Sequence, residues 1–457
     1  VPASFESLPL AEAMQANLAE LGYLSMTPIQ AASLPIILKG QDLIAQAKTG
    51  SGKTAAFGIG LLTGLNPRYF GCQALVLCPT RELADQVARE LRRLARTTPN
   101  LKILTLCGGM PLGPQIASLE HGAQVIVGTP GRVQEHLRKG TLVLDGLNVA
   151  VLDEADRMLD MGFIEAIADI LRQTPARRQT LLFSATYPEG IERLAEDYLR
   201  APLRISVESQ HSETQIRQRF YEIAAQDRLA AVVRLLRHHR PASAVAFCQT
   251  RQQCQEVVEA LHAQRISAAA LHGDLEQRER DQVLAMFANR SLCVLVATDV
   301  AARGIDVAGL EAVINVELSR DPAVHVHRIG RSGRAGEQGL ALSLVAPAEA
   351  SRAQAIEAQQ GSPLDWQPLG ALRDTPEPLV PTMHTLALAA GKKDKLRPGD
   401  ILGALTGDAG LPGAKIGKIT LFDNQAFVAV ERDIARQALQ RLSEGKIKGR
   451  SIKARML

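Results

Sequence analysis

Aromatic side chains are scarce in this 457-residue chain: they make up 4% of it, with one tryptophan. Stacking successive nucleobases needs interleaved aromatics, so a base-stacking platform over most of the chain is excluded. The six cysteines, Cys72, Cys78, Cys107, Cys248, Cys254 and Cys293, form no Cys-x-x-Cys pair, and most sit in apolar runs. That spacing excludes a zinc ribbon or disulfide framework and reads as reduced core thiols in a protein expected in the cytoplasm. No apolar run approaches the ~18 residues of a membrane span, and no signal-peptide pattern opens the sequence, so no membrane partner is expected. A dominant charge of one sign is also missing, since the formal net charge is only +4.

The charge that is present is unevenly placed. Residues 380–457 carry +7 and the remainder −3, and the stretch from Gly445 to Leu457 has five basic groups and no acidic one. A basic tail on a near-neutral body fits a polyanion anchor, although a solvated basic face has the same composition. The length exceeds what one core can organise. Short apolar runs alternate with helical patterns twice. The first set includes Ala74–Cys78, Lys102–Cys107, Val125–Gly128, Val149–Leu152 and Thr180–Phe183. The second includes Ala244–Cys248, Ala268–Leu271, Cys293–Ala297, Ala312–Val316 and Leu340–Val345. This alternation predicts α/β architecture with two parallel sheets. The polar stretch Ser206–Ile216 reads as a hinge, and Pro363 to Pro381, with five prolines, reads as a stiff linker. Three domains are expected, at 1–207, 216–365 and 380–457.

Two segments carry chemistry. Thr49-Gly50-Ser51-Gly52-Lys53-Thr54 is the tail of a phosphate loop, with Ala47 where the general template has glycine. Gly50 and Gly52 let backbone N–H groups turn toward phosphate oxygens, Lys53 reaches the β/γ-phosphates and Thr54 offers a hydroxyl to Mg²⁺. One hundred residues later an apolar run ends in Asp153-Glu154-Ala155-Asp156, where carboxylates at a strand end can hold Mg²⁺ and orient a water. A glycine turn and a charged helix start explain each segment alone. Their joint order, each after an apolar run and before a helical one, implies a nucleotide hydrolase.

With these motifs in place, residues 1–350 resemble the DEAD-box RNA helicases of superfamily 2, with two RecA-like domains. Gly22-Tyr23-Leu24-Ser25-Met26-Thr27-Pro28-Ile29-Gln30 is similar to the family's Q motif. The resemblance implies that Gln30 reads the adenine edge of ATP while Tyr23 stacks on the ring, with Phe5 in support. Thr27-Pro28 also fits a plain helix entry. The resemblance further implies Asp153 on Mg²⁺ and Glu154 on the attacking water. Asp156 would link to Ser184-Ala185-Thr186, a run that alone reads as a helix cap. The run Ala301–Asp306 resembles motif V, with Asp306 toward the ribose. His327-Arg328-Ile329-Gly330-Arg331-Ser332-Gly333-Arg334 resembles motif VI, whose Arg331 and Arg334 would stabilise charge on the transferring phosphoryl. Because they lie in the second α/β domain, hydrolysis is expected to require domain closure.

A second group of motifs resembles an RNA track: Thr80 and Arg81, Gly108-Gly109, Thr129 to Arg132, Thr250, Gly273, and Thr298 with Arg303. Hydroxyls, backbone N–H groups and guanidinium groups suit phosphate and 2′-OH contacts, which bind without sequence choice. The tail reads as βαββαβ, an RRM-like sheet, but Asn424–Val430 keeps one aromatic and lacks the leading basic-glycine pair of the RNP1 pattern. Basic residues such as Lys446, Lys448 and Arg450 are therefore the expected RNA contacts. A DEAD-box core with such a tail is similar to the bacterial DbpA/YxiN group, which implies a monomer acting on 23S ribosomal RNA during large-subunit assembly. Two other classes stay open at this point: an RNA-binding clamp or chaperone with little unwinding, and a DNA helicase of the same superfamily.

Overall fold

A strand followed by a helical crossover returns parallel to its neighbour, so the strand–helix alternation commits most of this chain to parallel sheets. The computed structural model describes residues 4–47, 50–207, 216–302, 310–333, 338–375, 377–407 and 410–457. Most of the expected hinge therefore lies outside the described residues. Two compact units are present, Val1–Gln210 and His211–Leu457.

In the first unit the strands are β1 (Leu43–Gln46), β2 (Ala74–Leu77), β3 (Ile103–Leu106), β4 (Val125–Gly128), β5 (Val149–Asp153), β6 (Gln179–Ser184) and β7 (Leu203–Ser206). They lie in the order β3-β4-β2-β5-β6-β1-β7, and every pair is parallel. Helices cover both faces, which is why the central strands read as unbroken apolar runs. Ala74 and Val76 of β2 enter one apolar cluster, whereas Leu75 and Leu77 enter another on the opposite face. The strand order decides where chemistry can sit. The run β5-β6-β1 sets the C-terminal ends of three strands side by side, with Asp153 level with Phe183 and Gln46 level with Ser184. Open α/β sheets place ligands at such carboxyl ends.

The second unit opens with β8 (Ile216–Glu222), β9 (Ala244–Cys248), β10 (Ala268–Leu271), β11 (Val294–Thr298), β12 (Ala312–Asn315) and β13 (Gly339–Val345). Their order is β10-β11-β9-β12-β13-β8, again all parallel. A small antiparallel sheet follows, β15-β16-β14-β17, from β14 (Met383–Leu388), β15 (Ile416–Leu421), β16 (Ala426–Glu431) and β17 (Ala454–Met456). The helices Pro398–Thr406 and Ala435–Glu444 complete the expected βαββαβ order. They pack on one sheet face through Leu386, Val428, Ile401 and Leu442. The other face meets the helix Gln277–Ala288, where Phe427, Ala387 and Ala285 form a buried cluster. At this seam the buried Thr385 hydroxyl oxygen lies 3.1 Å from Asn289 Nδ2, which donates to it, and 2.7 Å from Ser291 Oγ.

Residues 363–381, expected to be a spacer, are instead a strap against the second unit. The Phe220 N–H donates to the Asp365 carbonyl, and the Gln367 N–H donates to the Phe220 carbonyl, so this segment lies along the outer edge of β8. Farther on, Arg234 donates to the Gly370 and Leu372 carbonyls, and Arg240 to those of Glu377 and Pro378. Leu372 and Leu379 enter the apolar core. Pro368 leads into a short 3-10 turn at Leu369–Ala371, and the leucines of the strap supply the adhesion.

Candidate functional site

The phosphate-loop residues stand between β1 and the helix Lys53–Thr63. Gly50 and Gly52 take φ values of +84° and +97°, the left-handed region that glycine enters freely. A side chain at Gly52 would also collide with its neighbours, since a Cβ there would lie 2.6 Å from Gln30 Nε2. Lys53 opens the helix and is buried, and its Nζ donates to the Ala47 carbonyl at 2.9 Å. Thr54 follows it on the same first turn. Ser51 is present beside them with its hydroxyl oxygen buried, and Thr49 lies outside the described residues.

Gln30 reaches this loop, whereas Tyr23 packs beside Phe5 and Glu90. The Gln30 amide is buried; its Oε1 accepts from the Thr27 N–H at 2.9 Å and its Nε2 donates to the Gly52 carbonyl at 3.2 Å. The helix-entry role and the loop contact thus coexist in one side chain. Tyr23 is half-buried, edge-on to Phe5 with ring centroids 6.2 Å apart. Its hydroxyl donates to Glu90 Oε1 at 2.5 Å, and burial followed by that carboxylate holds the phenol above its usual range.

Asp153 ends β5 in full burial, and its carboxyl is pushed up to about 6 by burial, with the Lys53 ammonium opposing the shift. Its Oδ1 is buried and accepts no hydrogen bond from any described residue. A buried carboxylate oxygen without a donor is costly unless a cation compensates it. Together with the hydroxyl of Thr54, this oxygen-only donor set fits Mg²⁺, which prefers few protein oxygens and its own waters. Glu154 takes the left-handed conformation, φ +54°, at the cap of the helix Ala155–Asp160. One turn on, Arg157 Nη1 lies 2.8 Å from Glu154 Oε2, and both side chains are almost fully buried. Sequence reading missed Arg157; its one signal was the three-residue spacing from Glu154, which places both on one helix face.

Asp156 ties the corner after β5 to the loop after β6. Its Oδ2 accepts from the Ala185 N–H at 3.2 Å, the Thr186 N–H at 2.9 Å and the Thr186 hydroxyl at 3.0 Å. Ser184 Oγ accepts from the Asp156 N–H at 3.1 Å. The expected Asp156–Ser184–Thr186 link is thus physically present, and no cap of a following helix is made by these residues.

In the second unit the described part of the arginine-rich run is organised around Arg328, which is 2% exposed. Its Nε and Nη2 donate to the two Asp299 carboxylate oxygens at 2.6 and 2.8 Å, and its Nη1 donates to Asn315 Oδ1 and the Glu317 carbonyl. The guanidinium also lies 5.1 Å from the Phe247 ring centroid. Arg328 therefore locks the ends of β9, β11 and β12 together. Arg331 follows at the end of the helix Pro322–Ile329, half-exposed. Arg303, Asp306 and Arg334 lie outside the described residues.

The described residues expected to contact RNA in the two parallel-sheet domains fall at C-terminal strand ends, in loops or on the first turn of the following helix. Thr80 caps the helix Arg81–Leu94, accepting from the Leu83 N–H at 3.3 Å, and Arg81 lies 3.7 Å from Asp85. Gly109, at φ +72°, is exposed after β3, and Thr129 caps the helix Pro130–Arg138 without using its hydroxyl. Arg132 turns inward, with Nη1 donating to the Met110 carbonyl and Gln115 Oε1, both at 2.9 Å. Thr250 caps the helix Arg251–Ala263, Gly273 is exposed after β10, and Thr298 ends β11. In the tail, Lys446, Lys448 and Arg450 are exposed around a two-residue turn in which Lys448 and Gly449 have φ of +53° and +75°. Lys448 is not a bare cation: it donates to the Lys395 carbonyl at 2.9 Å and lies 3.2 Å from Asp400. Phe427, the lone RNP1-like aromatic, is fully buried at the seam, so no base stacks on it in this arrangement. All six cysteines are free and buried, as their apolar setting predicts. No helix among the described residues is long and apolar enough to cross a membrane.

Comparison with known proteins places these features in a family. Residues 27–194 match the DEAD/DEAH box helicase model, 227–336 the helicase conserved C-terminal domain and 385–456 the DbpA RNA binding domain. The chain is 56% identical to the ATP-dependent RNA helicase DbpA of Escherichia coli over 448 residues, 98% of either chain. It is 42% identical to the DEAD-box ATP-dependent RNA helicase CshA of Bacillus subtilis over 355 residues, 78% of this chain and 72% of the relative. Among solved structures, Saccharomyces cerevisiae Dbp5 bound to RNA and ADP BeF3 superposes with a TM-score of 0.73 at 30% identity, covering 80% of this chain and 96% of that one. With strand-end carboxylates beside a phosphate loop, two RecA-like sheets and a third matched domain, the chain belongs to the DEAD-box family of ATP-dependent RNA helicases and carries a DbpA RNA-binding domain after its helicase domains.

Proposed function

We propose that the chain separates short RNA duplexes at the expense of ATP, and that its target is 23S ribosomal RNA in precursors of the large ribosomal subunit in the cytoplasm. The observation that carries the catalytic reading is the convergence at one sheet edge of Lys53, the Asp153 oxygen that accepts from no described residue, and Glu154 held by Arg157. Lys53 and the loop around Gly50, Ser51 and Gly52 bind the phosphates, while Tyr23, Gln30 and Asp306 bind the base and ribose. Thr54 and Asp153 would hold Mg²⁺, which supplies charge neutralisation on the phosphates when bound. Glu154 orients the attacking water and accepts its proton, and Arg331 with Arg334 stabilise the charge on the transferring phosphoryl. The Asp156–Thr186 bonds relay the state of the nucleotide to the RNA-facing loops.

The target rests on the tail, whose +7 charge favours a polyanion and whose sequence matches the DbpA RNA binding domain. Lys446, Lys448 and Arg450 are its proposed contacts. Glu154→Gln tests the chemistry: ATP binding should persist while RNA-stimulated turnover falls by orders of magnitude. Near-normal turnover would rule out the assignment. Comparing 23S fragments with unrelated RNA as stimulators of the full chain tests the target, and equal stimulation would remove it.

A further inference from the structure

We infer that Gln115 and His136 are positioning residues for RNA, clamping the loop after β3 and the loop after β4 into one rigid contact surface. The inference rests on the reading above, in which the loops at 108–110 and 129–132 touch RNA. Those segments leave neighbouring parallel strands, level at Leu106 and Gly128; Thr129, whose N–H donates to the Leu106 carbonyl at 3.0 Å, leads directly into the helix Pro130–Arg138, whereas 108–110 belong to neither β3 nor the helix Leu112–Glu120.

Gln115 supplies the missing hold. It is the one buried side chain of the helix Leu112–Glu120. Its Nε2 donates to the Cys107 carbonyl at 3.2 Å, while its Oε1 accepts from Arg132 Nη1 at 2.9 Å and lies 3.0 Å from His136 Nε2. Arg132 Nη1 also donates to the Met110 carbonyl at 2.9 Å. The Gln115 amide on the Cys107 side and the Arg132 guanidinium on the Met110 side, bonded to each other, therefore join both flanks of Gly108-Gly109 to the first turn of the helix Pro130–Arg138.

The protonation pattern follows by elimination. A guanidinium only donates, so the Gln115 atom facing Arg132 must be the carbonyl oxygen. That oxygen requires a donor from the fully buried His136, so the ring carries its proton on Nε2. Nδ1 lies 2.8 Å from the Thr141 hydroxyl oxygen, and that hydroxyl donates to the His136 carbonyl at 3.2 Å. Burial, and then the Arg132 guanidinium, push the imidazole below its usual value, which favours the neutral ring. A leucine would fill the same space without any polar atom to satisfy, so packing alone gives no reason for a buried glutamine.

The test uses the full chain and a single-stranded oligouridylate, with ATP for turnover and a non-hydrolysable ATP analogue for hydrogen exchange. In Gln115→Met, and separately in His136→Gln, the RNA concentration giving half-maximal ATPase stimulation should rise about 10-fold. Turnover at saturating RNA, the KM for ATP and the melting temperature should stay within about 2-fold or a few degrees. The ¹⁵N signature of the His136 Nε2–H tautomer should be present in the parent and lost in Gln115→Met. An unchanged half-saturating RNA concentration in both variants overturns the clamp, as does an equal loss of ATP and RNA responses with a lowered melting temperature. Hydrogen exchange of the parent keeps the two ideas apart. Protection of residues 108–110 and 129–132 by RNA with no effect of either variant defeats the clamp alone. No protection at either loop defeats the RNA-track reading, and the clamp with it.

Discussion

Replacing Asp156 by asparagine keeps the size of the side chain and removes its charge, which isolates what the carboxylate does for the loop after β6. Its Oδ2 accepts three hydrogen bonds, from the Ala185 and Thr186 N–H groups and the Thr186 hydroxyl, and Oδ1 accepts from the Arg157 N–H at 3.1 Å. An asparagine can keep its carbonyl toward the loop, but its NH₂ group then faces the Arg157 N–H, donor against donor. Hydrogen bonds to a charged acceptor contribute about 1.5–3 kcal/mol each and neutral ones about 0.5–1.5 kcal/mol. Partial non-additivity among bonds to one oxygen leaves a net loss of about 2–3 kcal/mol in the hold on residues 185–186, or roughly 30- to 150-fold. The assay measures strand separation of a short RNA duplex in parallel with RNA-stimulated ATP turnover. Strand separation should fall by that factor, with ATP affinity and turnover changed only a few-fold. Thr186→Val should cost less alone and add little to Asp156→Asn, because both remove bonds at the same oxygen. Equal losses of turnover and separation, or full additivity of the two substitutions, would refute the relay.

Gly52→Ala forces a side chain into a left-handed backbone and against Gln30, so ATP affinity should fall at least ten-fold with little change in melting temperature; calorimetric titration with ATP reads it. Arg328→Met strands the Asp299 carboxylate, and losing one partner of a buried pair costs about 3–5 kcal/mol, so the second unit should melt at markedly lower temperature. A shift of only a degree or two would contradict the network's role. Burial lowers the His325 imidazole to about 4, followed by the effect of Arg328, so the unfolded chain binds its proton near pH 6.5 and the folded chain does not. The stability that this residue supports is therefore complete above pH 6.5 and is lost as pH falls toward 4. Denaturant unfolding of the second unit should weaken across that window by about 3 kcal/mol in total, and His325→Phe should flatten the dependence.

How much could be read without coordinates depended on which force placed each element. The central strands were legible because burial on both faces demands unbroken apolar runs such as Ala150-Val151-Leu152. Strand β8 was not among the strands read, since Arg217 and Arg219 break its apolar pattern and it lies near the sheet rim. Strand β7 is an edge strand of four residues, mostly exposed, and carries equally little signal. Within the site, Lys53, Asp153, Glu154 and Asp156 were legible because phosphoryl chemistry restricts the residue types at those places. The Gln115–His136–Arg132 cluster was not, because hydrogen bonds between side chains 17 and 21 residues apart leave no periodic trace, and Arg157 was passed over beside Glu154 despite its three-residue spacing. Proline content pointed to a spacer at 363–381, yet Leu372 and Leu379 between the prolines were the better guide.

That strap has a practical side for anyone dissecting the protein. Strand β8 presents the N–H and C=O of Phe220 on its outer edge to Asp365 and Gln367, which satisfy them as a strand bridge would. A truncation made before residue 363, at the apparent end of the helicase body, would leave those two groups and the edge around them bare. Bare sheet edges recruit other chains, so such a fragment would be prone to self-association whatever its catalytic competence. A cut after Pro381 keeps the edge covered and Leu372 and Leu379 buried. Comparisons of a tail-less enzyme with the full chain then report on RNA choice rather than on colloidal behaviour.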